Sequence, residues 1–265
     1  MSELLETLDN GLLTLTFNRP DRRNGMTVSL SNKFLDAVRR AAEDPAVRCV
    51  VLTGAGDTFS AGGDMANLAE MSSKLKTSEA RAELSRVLRE EMKVVQLLHE
   101  MPKPTLAIIN GAAAGAGLMF ALACDMRFCL DTAKLTTAFA KIGACGDSGV
   151  SYFLPRIVGP AKAYELMFNS DVLTGEEAHA IGLVTKIAAA DEFEKASCAY
   201  AQHLAGLPTV AIGYMKKHLV ASHNSTLGEI LDLEAVGMAE CMGTEDHRDA
   251  VQAFLNKTQP EFRGQ

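Results

Sequence analysis

Two near-continuous apolar runs, "VRCVVLTGAG" (47–56) and "TLAIINGAAAGAG" (105–117), pass straight into glycine and alanine. Such a run reads as a strand buried on both faces, which occurs almost only in parallel sheets covered by helices. The neighbouring segments supply those helices. "SLSNKFLDAVRRAAEDP" (29–45) places Leu30, Phe34, Ala37, Val38 and Ala41 on one helical face and stops at Pro45. Ahead of it, "LLTLTFNRP" (12–20) alternates apolar residues with threonine and reads as a strand closed by Pro20. Residues 66–101 are predicted to be mostly helical up to "MPKP", and "LMFALACDMRFCL" (118–130) is predicted to pass from helix to strand. Strand, loop and helix thus recur at least three times, the α/β pattern of a parallel sheet. From about residue 161 the periodicity turns helical, and Thr174 with Glu177 three residues on makes a capping box. The expected layout is an α/β core over 1–200 and a helical part over 201–265, too short to be an independent domain.

Composition narrows the function classes. Hydrophobic residues make up 48% of the 265 and charged residues 22%, enough for a sizeable core. The net charge of −7, with no long basic stripe, argues against a nucleic-acid partner. Six cysteines (49, 124, 129, 145, 198 and 241) form no CxxC pair. Four lie in apolar or small-residue surroundings and read as buried thiols of a reducing compartment; Cys145 reads as a small buried hydrophobe. The six histidines show no metal-ligand spacing, so no metal is expected. "MSELLETLDNG" lacks the basic and apolar regions of a signal peptide, and no apolar run reaches the ~18 residues of a membrane span. The expectation is a soluble cytoplasmic protein with no membrane partner.

Two strand ends carry glycine clusters, "LTGAGDTFSAGGD" (52–64) and "NGAAAGAG" (110–117). Neither is a dinucleotide fingerprint: after Gly54 and Gly56 the third position is Phe59, and no P-loop lysine follows either cluster. Glycine loops after strands expose backbone N–H groups, and two of them aimed at one point would make an oxyanion hole. Close-packed turns without a ligand would use the same residues. A third feature is Asp147, the one carboxylate in "TTAFAKIGACGDSGVSYFLPRIVG" (136–159). Gly-Asp-Ser-Gly is a tight turn by composition. In an apolar pocket the same aspartate would have a raised pKa suited to proton transfer.

Several blocks together carry a resemblance. "NRPDRRNGMTVSL", "VVLTGAGDTFSAGGDM", "KPTLAIINGAAAGAGLMFALACDMRF", "LPRIVGPAKAYELMF", "LTGEEAHAIGLVTKI" and the closing "AFLNKTQPEFRG" resemble, in order and spacing, the enoyl-CoA hydratase/isomerase (crotonase) family over nearly the whole chain. The resemblance implies an α/β fold with a crotonase-like spiral of four ββα turns, and a helical C-terminal part that mediates homotrimers or hexamers. It implies an acyl-CoA thioester as substrate, with coenzyme A entering as part of that substrate and no separate cofactor. The oxyanion donors it implies are the N–H groups of Gly63 and Ala116. Substrate contacts are implied for Arg23, Ala61, Gly63, Asp64, Met65, Ala116, Met119, Phe139 and Lys257, with Arg22 and Arg23 near the CoA phosphates and Lys257 reaching a neighbouring subunit's CoA. Asp64 also reads as a helix N-cap. The departures are as informative. Met119 and Phe139 stand where a typical hydratase of this family has its two glutamates, leaving Asp147 where other branches place a proton-moving base or a nucleophile. An isomerase of unsaturated acyl-CoA is therefore expected. The alternatives are an atypical hydratase, dehalogenase-like hydrolysis of an aryl-CoA, and non-catalytic acyl-CoA binding.

Overall fold

The computed structural model describes residues 2–265. The chain opens with a hairpin, β1 (Leu4–Asp9) and β2 (Leu12–Phe17), paired antiparallel about Asn10-Gly11. Both turn residues have positive φ (48° and 80°), the combination that suits an Asn-Gly hairpin. Helix α1 (Val28–Glu43) follows, capped by the Thr27 hydroxyl, which accepts from the Leu30 N–H. Its buried face is Leu30, Phe34, Leu35, Ala37, Val38 and Ala41, the expected set with Leu35 added. Phe34 meets Phe17 edge-on at 5.1 Å and Phe120 at 5.3 Å between ring centroids. Full burial of a side chain of this size contributes about 1.5–3 kcal/mol.

The same strand, strand, helix order then repeats. β3 (Cys49–Gly54) and β4 (Thr58–Ser60) lead to helices α2 (Met65–Lys74), α3 (Ser78–Glu91) and α4 (Lys93–Glu100). β5 (Thr105–Ile109) and β6 (Ala112–Ala114) lead to α5 (Ala116–Ala123). β7 (Met126–Leu130) and β8 (Lys134–Thr136) lead through a long loop to α6 (Val150–Val158). The remainder is α7 (Pro160–Asn169), β9 (Leu173–Thr174), α8 (Gly175–Ala180), β10 (Lys186–Ala188), α9 (Ala190–Ala205), α10 (Thr209–Ser222), α11 (Leu227–Met242) and α12 (Glu245–Asn256). The strands sort into a six-stranded sheet, β1-β2-β3-β5-β7-β10, and a four-stranded one, β4-β6-β8-β9. Each later ββα turn gives one strand to each sheet, so the chain climbs as a spiral. Beyond the hairpin the large sheet is parallel throughout, as the apolar runs predicted.

Helix α5 lies at the centre. Every residue from Gly117 to Ala123 is buried, as expected of a helix apolar on all sides. Residue 200 falls inside α9, whose Ala201, Leu204 and Ala205 pack on Cys49, Val51, Leu106 and Phe128 of the large sheet. Next, α10 is anchored by Lys216, whose Nζ donates to the carbonyls of Leu98 and Lys103 and to Asp125 Oδ2 at 3.0 Å. Thr174 and Glu177 form the expected capping box. Two expectations for the cysteines are corrected. Three rather than four are buried (Cys49, Cys124 and Cys129), and burial pushes their thiols up to about 12. Cys145 is exposed, because residues 140–145 form a surface loop rather than core. Among the described residues, no helix is long and apolar enough to cross a membrane.

Candidate active site

The stretch before α1 acts as a frame for the first glycine loop. Asn24 is fully buried and its amide donates to the carbonyls of Ala55 (3.0 Å) and Thr58 (2.6 Å), while its Oδ1 accepts from the Arg19 N–H at 2.8 Å. Its own carbonyl accepts from the buried Ser60 hydroxyl. The Met26 N–H donates to Gly62 O, and the Asp64 N–H donates to Met26 O, so Met26 and Gly63 sit side by side as a parallel bridge. Buried polar groups satisfied in this way hold one loop geometry, because releasing any of them leaves a desolvated partner.

The second glycine loop closes against the first. Gly62 has φ +82°, and a Cβ there would lie 2.7 Å from Ala114 O and 3.1 Å from the Ala116 nitrogen, so only glycine admits the contact. Gly115 turns the chain into α5 at φ 51°, ψ −130°, a conformation open in practice to glycine alone. The outcome is that the Gly63 N–H and the Ala116 N–H donate to no protein acceptor among the described residues. Both residues line one cavity of about 150 Å³. Ala116 is the first residue of α5, where the helix presents the positive end of its dipole.

Asp147 lines the same cavity. It is held in a loop of left-handed residues, with φ 93° at Gly146, 49° at Ser148 and 81° at Gly149. Its Oδ1 is buried and makes no hydrogen bond among the described residues. Burial pushes its carboxyl above the usual range, with the neighbouring Ser148 hydroxyl opposing. So the Gly-Asp-Ser-Gly turn exists, and it also aims an unsatisfied carboxylate at a cavity. A second carboxylate, Glu91 at the end of α3, lines the cavity too; burial raises it, and the charge of Asp147 raises it further.

The remaining candidates divide. Asp64 lines the cavity and caps α2, its Oδ1 accepting from the Ala66 N–H at 3.0 Å. Burial acts to raise its carboxyl, but the Ala66 N–H, Arg19 and the Asn67 N–H outweigh it and hold the group below the usual range. Arg19 lies 3.3 Å from Asp64 and also pairs with Glu3, a role the sequence reading had not assigned. Met119 is fully buried in the core, and Phe139 packs near Gly115 and Gly146; neither lines the cavity. Ala61, Met65 and Arg23 also lie outside its lining: Ala61 donates its N–H to Arg23 O, and the Arg23 and Met65 side chains are exposed. Lys257 ends α12 in a left-handed conformation, exposed and away from this cavity. Glu91 was missed. Its signal was the spacing of Leu84, Val87, Leu88 and Glu91, which puts a carboxylate on the inward face of a helix.

Residues 7–265 match the family model for enoyl-CoA hydratase/isomerase. The 1,2-epoxyphenylacetyl-CoA isomerase of Escherichia coli is 32% identical over 264 residues, which span 100% of this chain and 99% of that protein. The 4-chlorobenzoyl coenzyme A dehalogenase-2 of an Arthrobacter species is 32% identical over 248 residues, 94% of this chain and 88% of that one. The crystal structure of an enoyl-CoA hydratase/isomerase from Cupriavidus metallidurans superposes with a TM-score of 0.90 at 28% identity, covering 100% of this chain and 97% of that one. The spiral is thus the crotonase fold. This chain belongs to the enoyl-CoA hydratase/isomerase family.

Proposed function

We propose that the protein isomerises an unsaturated acyl-CoA, with Asp147 as the proton-moving base and the Gly63 and Ala116 N–H groups holding the enolate oxygen. The observation that carries this reading is one cavity lined by two unpartnered N–H donors and by a half-buried aspartate whose Oδ1 is buried without a hydrogen bond. Removing a proton beside a thioester carbonyl places negative charge on its oxygen. Two fixed N–H dipoles meet that charge without reorganising. Methionine and phenylalanine at 119 and 139 supply no acid to hold and activate a water, which favours proton movement within the substrate over hydration. The test is an assay with 3-enoyl-CoA and 2-enoyl-CoA. Interconversion of the two esters is expected; rapid hydration of the 2-enoyl ester without isomerisation would reject the reading. A nucleophilic Asp147 would instead show as a covalent adduct in the mass spectrum of wild-type protein.

The assembly proposed with this function is a homotrimer or hexamer. The C-terminal helices expose more apolar surface than a monomer needs, with Leu219 69% exposed, Leu227 75% and Phe254 82%. Arg23 and Lys257 are assigned to CoA phosphates, Lys257 to those of a neighbouring subunit. Sedimentation at micromolar concentration should give three or six times the 28.3 kDa chain mass. A monomer would overturn the assembly.

A further inference from the structure

We propose that Glu91 is a second proton-carrying group of the site, delivering a proton to the far carbon of the substrate after Asp147 has removed one from the near carbon; this rests on the isomerase reading. Leu84, Val87, Leu88 and Glu91 recur at i, i+3, i+4 and i+7 on α3, and all four line the cavity. The other glutamates of that helix point to solvent and have partners: Glu79 accepts from Ser78, Glu83 pairs with Arg86 and Glu90 with Lys93. Glu91 is half-buried and has neither hydrogen bond nor ion pair among the described residues. A glutamate placed inward on an amphipathic helix, with nothing to satisfy it, has no structural use there that leucine would not serve better.

The charged groups facing Glu91 are few. Asp147 comes from the loop before α6. Asp64 at the start of α2 is neutralised by Arg19. From α1 and its cap the lining residues are Thr27, Val28, Ser31 and Phe34, and from α4 Val94, none of them charged. Two carboxyl groups sharing one apolar cavity do not both ionise readily, so one holds a proton while the other is free to take one.

That pairing suits a 1,3-shift. In a 3-enoyl thioester the Asp147 carboxylate takes the proton from C2, and the C–H electron pair moves into a dienolate whose oxygen meets the Gly63 and Ala116 N–H groups. The Glu91 carboxylic acid then gives its proton to C4. The dienolate supplies the electron pair of the new C–H bond, and the double bond is left between C2 and C3. Asp147 is now protonated and Glu91 ionised, and one proton passed through solvent restores the pair. No oxidant, reductant or other co-reactant enters.

The experiment turns over 3-enoyl-CoA in D₂O and locates the label by mass spectrometry, with wild type beside Glu91→Gln. Wild type is expected to place a solvent deuteron at C4 from the first turnover. Glu91→Gln should lose conversion by roughly 10²–10⁴-fold, while deuterium exchange at C2, the work of Asp147, stays within a few-fold. Glu91→Asp should recover part of the conversion. Undiminished conversion in Glu91→Gln overturns the role of Glu91 and leaves the isomerase reading standing. So does a wild-type product whose newly added C4 hydrogen is the one taken from C2 rather than a solvent deuteron, or equal loss of exchange and conversion with acyl-CoA binding intact. Wild-type protein that neither exchanges nor isomerises removes the isomerase reading and the role of Glu91 with it.

Discussion

Asp147→Asn should lower turnover by roughly 10²–10⁴-fold, the usual worth of a positioned general base, with acyl-CoA affinity unchanged within a few-fold. The amide keeps the size and polarity of the side chain and loses the basic oxygen, so a rate effect without a binding effect reports proton transfer. The pH profile should agree. Burial holds the Asp147 carboxyl above its ordinary range, so the active carboxylate form is lost as pH falls through that raised value, and kcat falls with it. The same shift sets the direction of the stability change. A carboxyl that binds its proton more tightly in the folded protein subtracts stability as pH rises from the unfolded value through the folded one. At neutral pH the neutral asparagine should therefore unfold at the same temperature as wild type or higher. A mutant with unchanged turnover would rule out the base, and a mutant both slow and unstable would point to the turn as the role of this residue.

Lys216→Met should destabilise the protein by about 1–3 kcal/mol, the cost of leaving the half-buried Asp125 carboxylate and the Leu98 and Lys103 carbonyls without their donor. Lys216 is only 7% exposed and is the cation for Asp125, whose Oδ2 also accepts from the Thr105 N–H at 2.8 Å. Methionine fills the volume, so the effect isolates charge and hydrogen bonding from packing. Urea denaturation at fixed protein concentration measures it, with exposed Lys195→Met expected within ±0.5 kcal/mol as the control. Loss of less than 1 kcal/mol would show that Asp125 finds water or another donor instead.

The sequence carried most of the spiral because buried parallel strands leave unbroken apolar runs that end in glycine. β3, β5 and the inward face of α1 were readable for that reason. β1 was not: five of its six residues are outside the core, so it has no apolar pattern and reads only as an acidic terminus. The glycine loops were legible as loops, and the departures at 119 and 139 as the loss of two acids. The pair "EE" at 90–91 does not by itself say which glutamate enters the cavity; the helical spacing from Leu84, Val87 and Leu88 selects Glu91, but that this face of α3 meets a cavity comes only from the fold. Cys145 was misjudged because small residues flank both core segments and glycine-rich surface loops. Composition alone does not separate the two.

Helices α2 and α3 form one wall of the cavity, yet neither contains a buried residue. Such a wall has little apolar contact of its own to resist opening, and segments like this occupy the low end of a protein's local stability. On the proposed function, the missing apolar contact is supplied by the substrate. Each methylene of an acyl tail covered by Leu84, Val87 and Leu88 contributes about 0.8 kcal/mol to closing the wall as well as to holding the ligand. Tail length then acts on the conformation of residues 65–91, and discrimination among thioesters becomes a question of which acyl groups can complete the protein's own core.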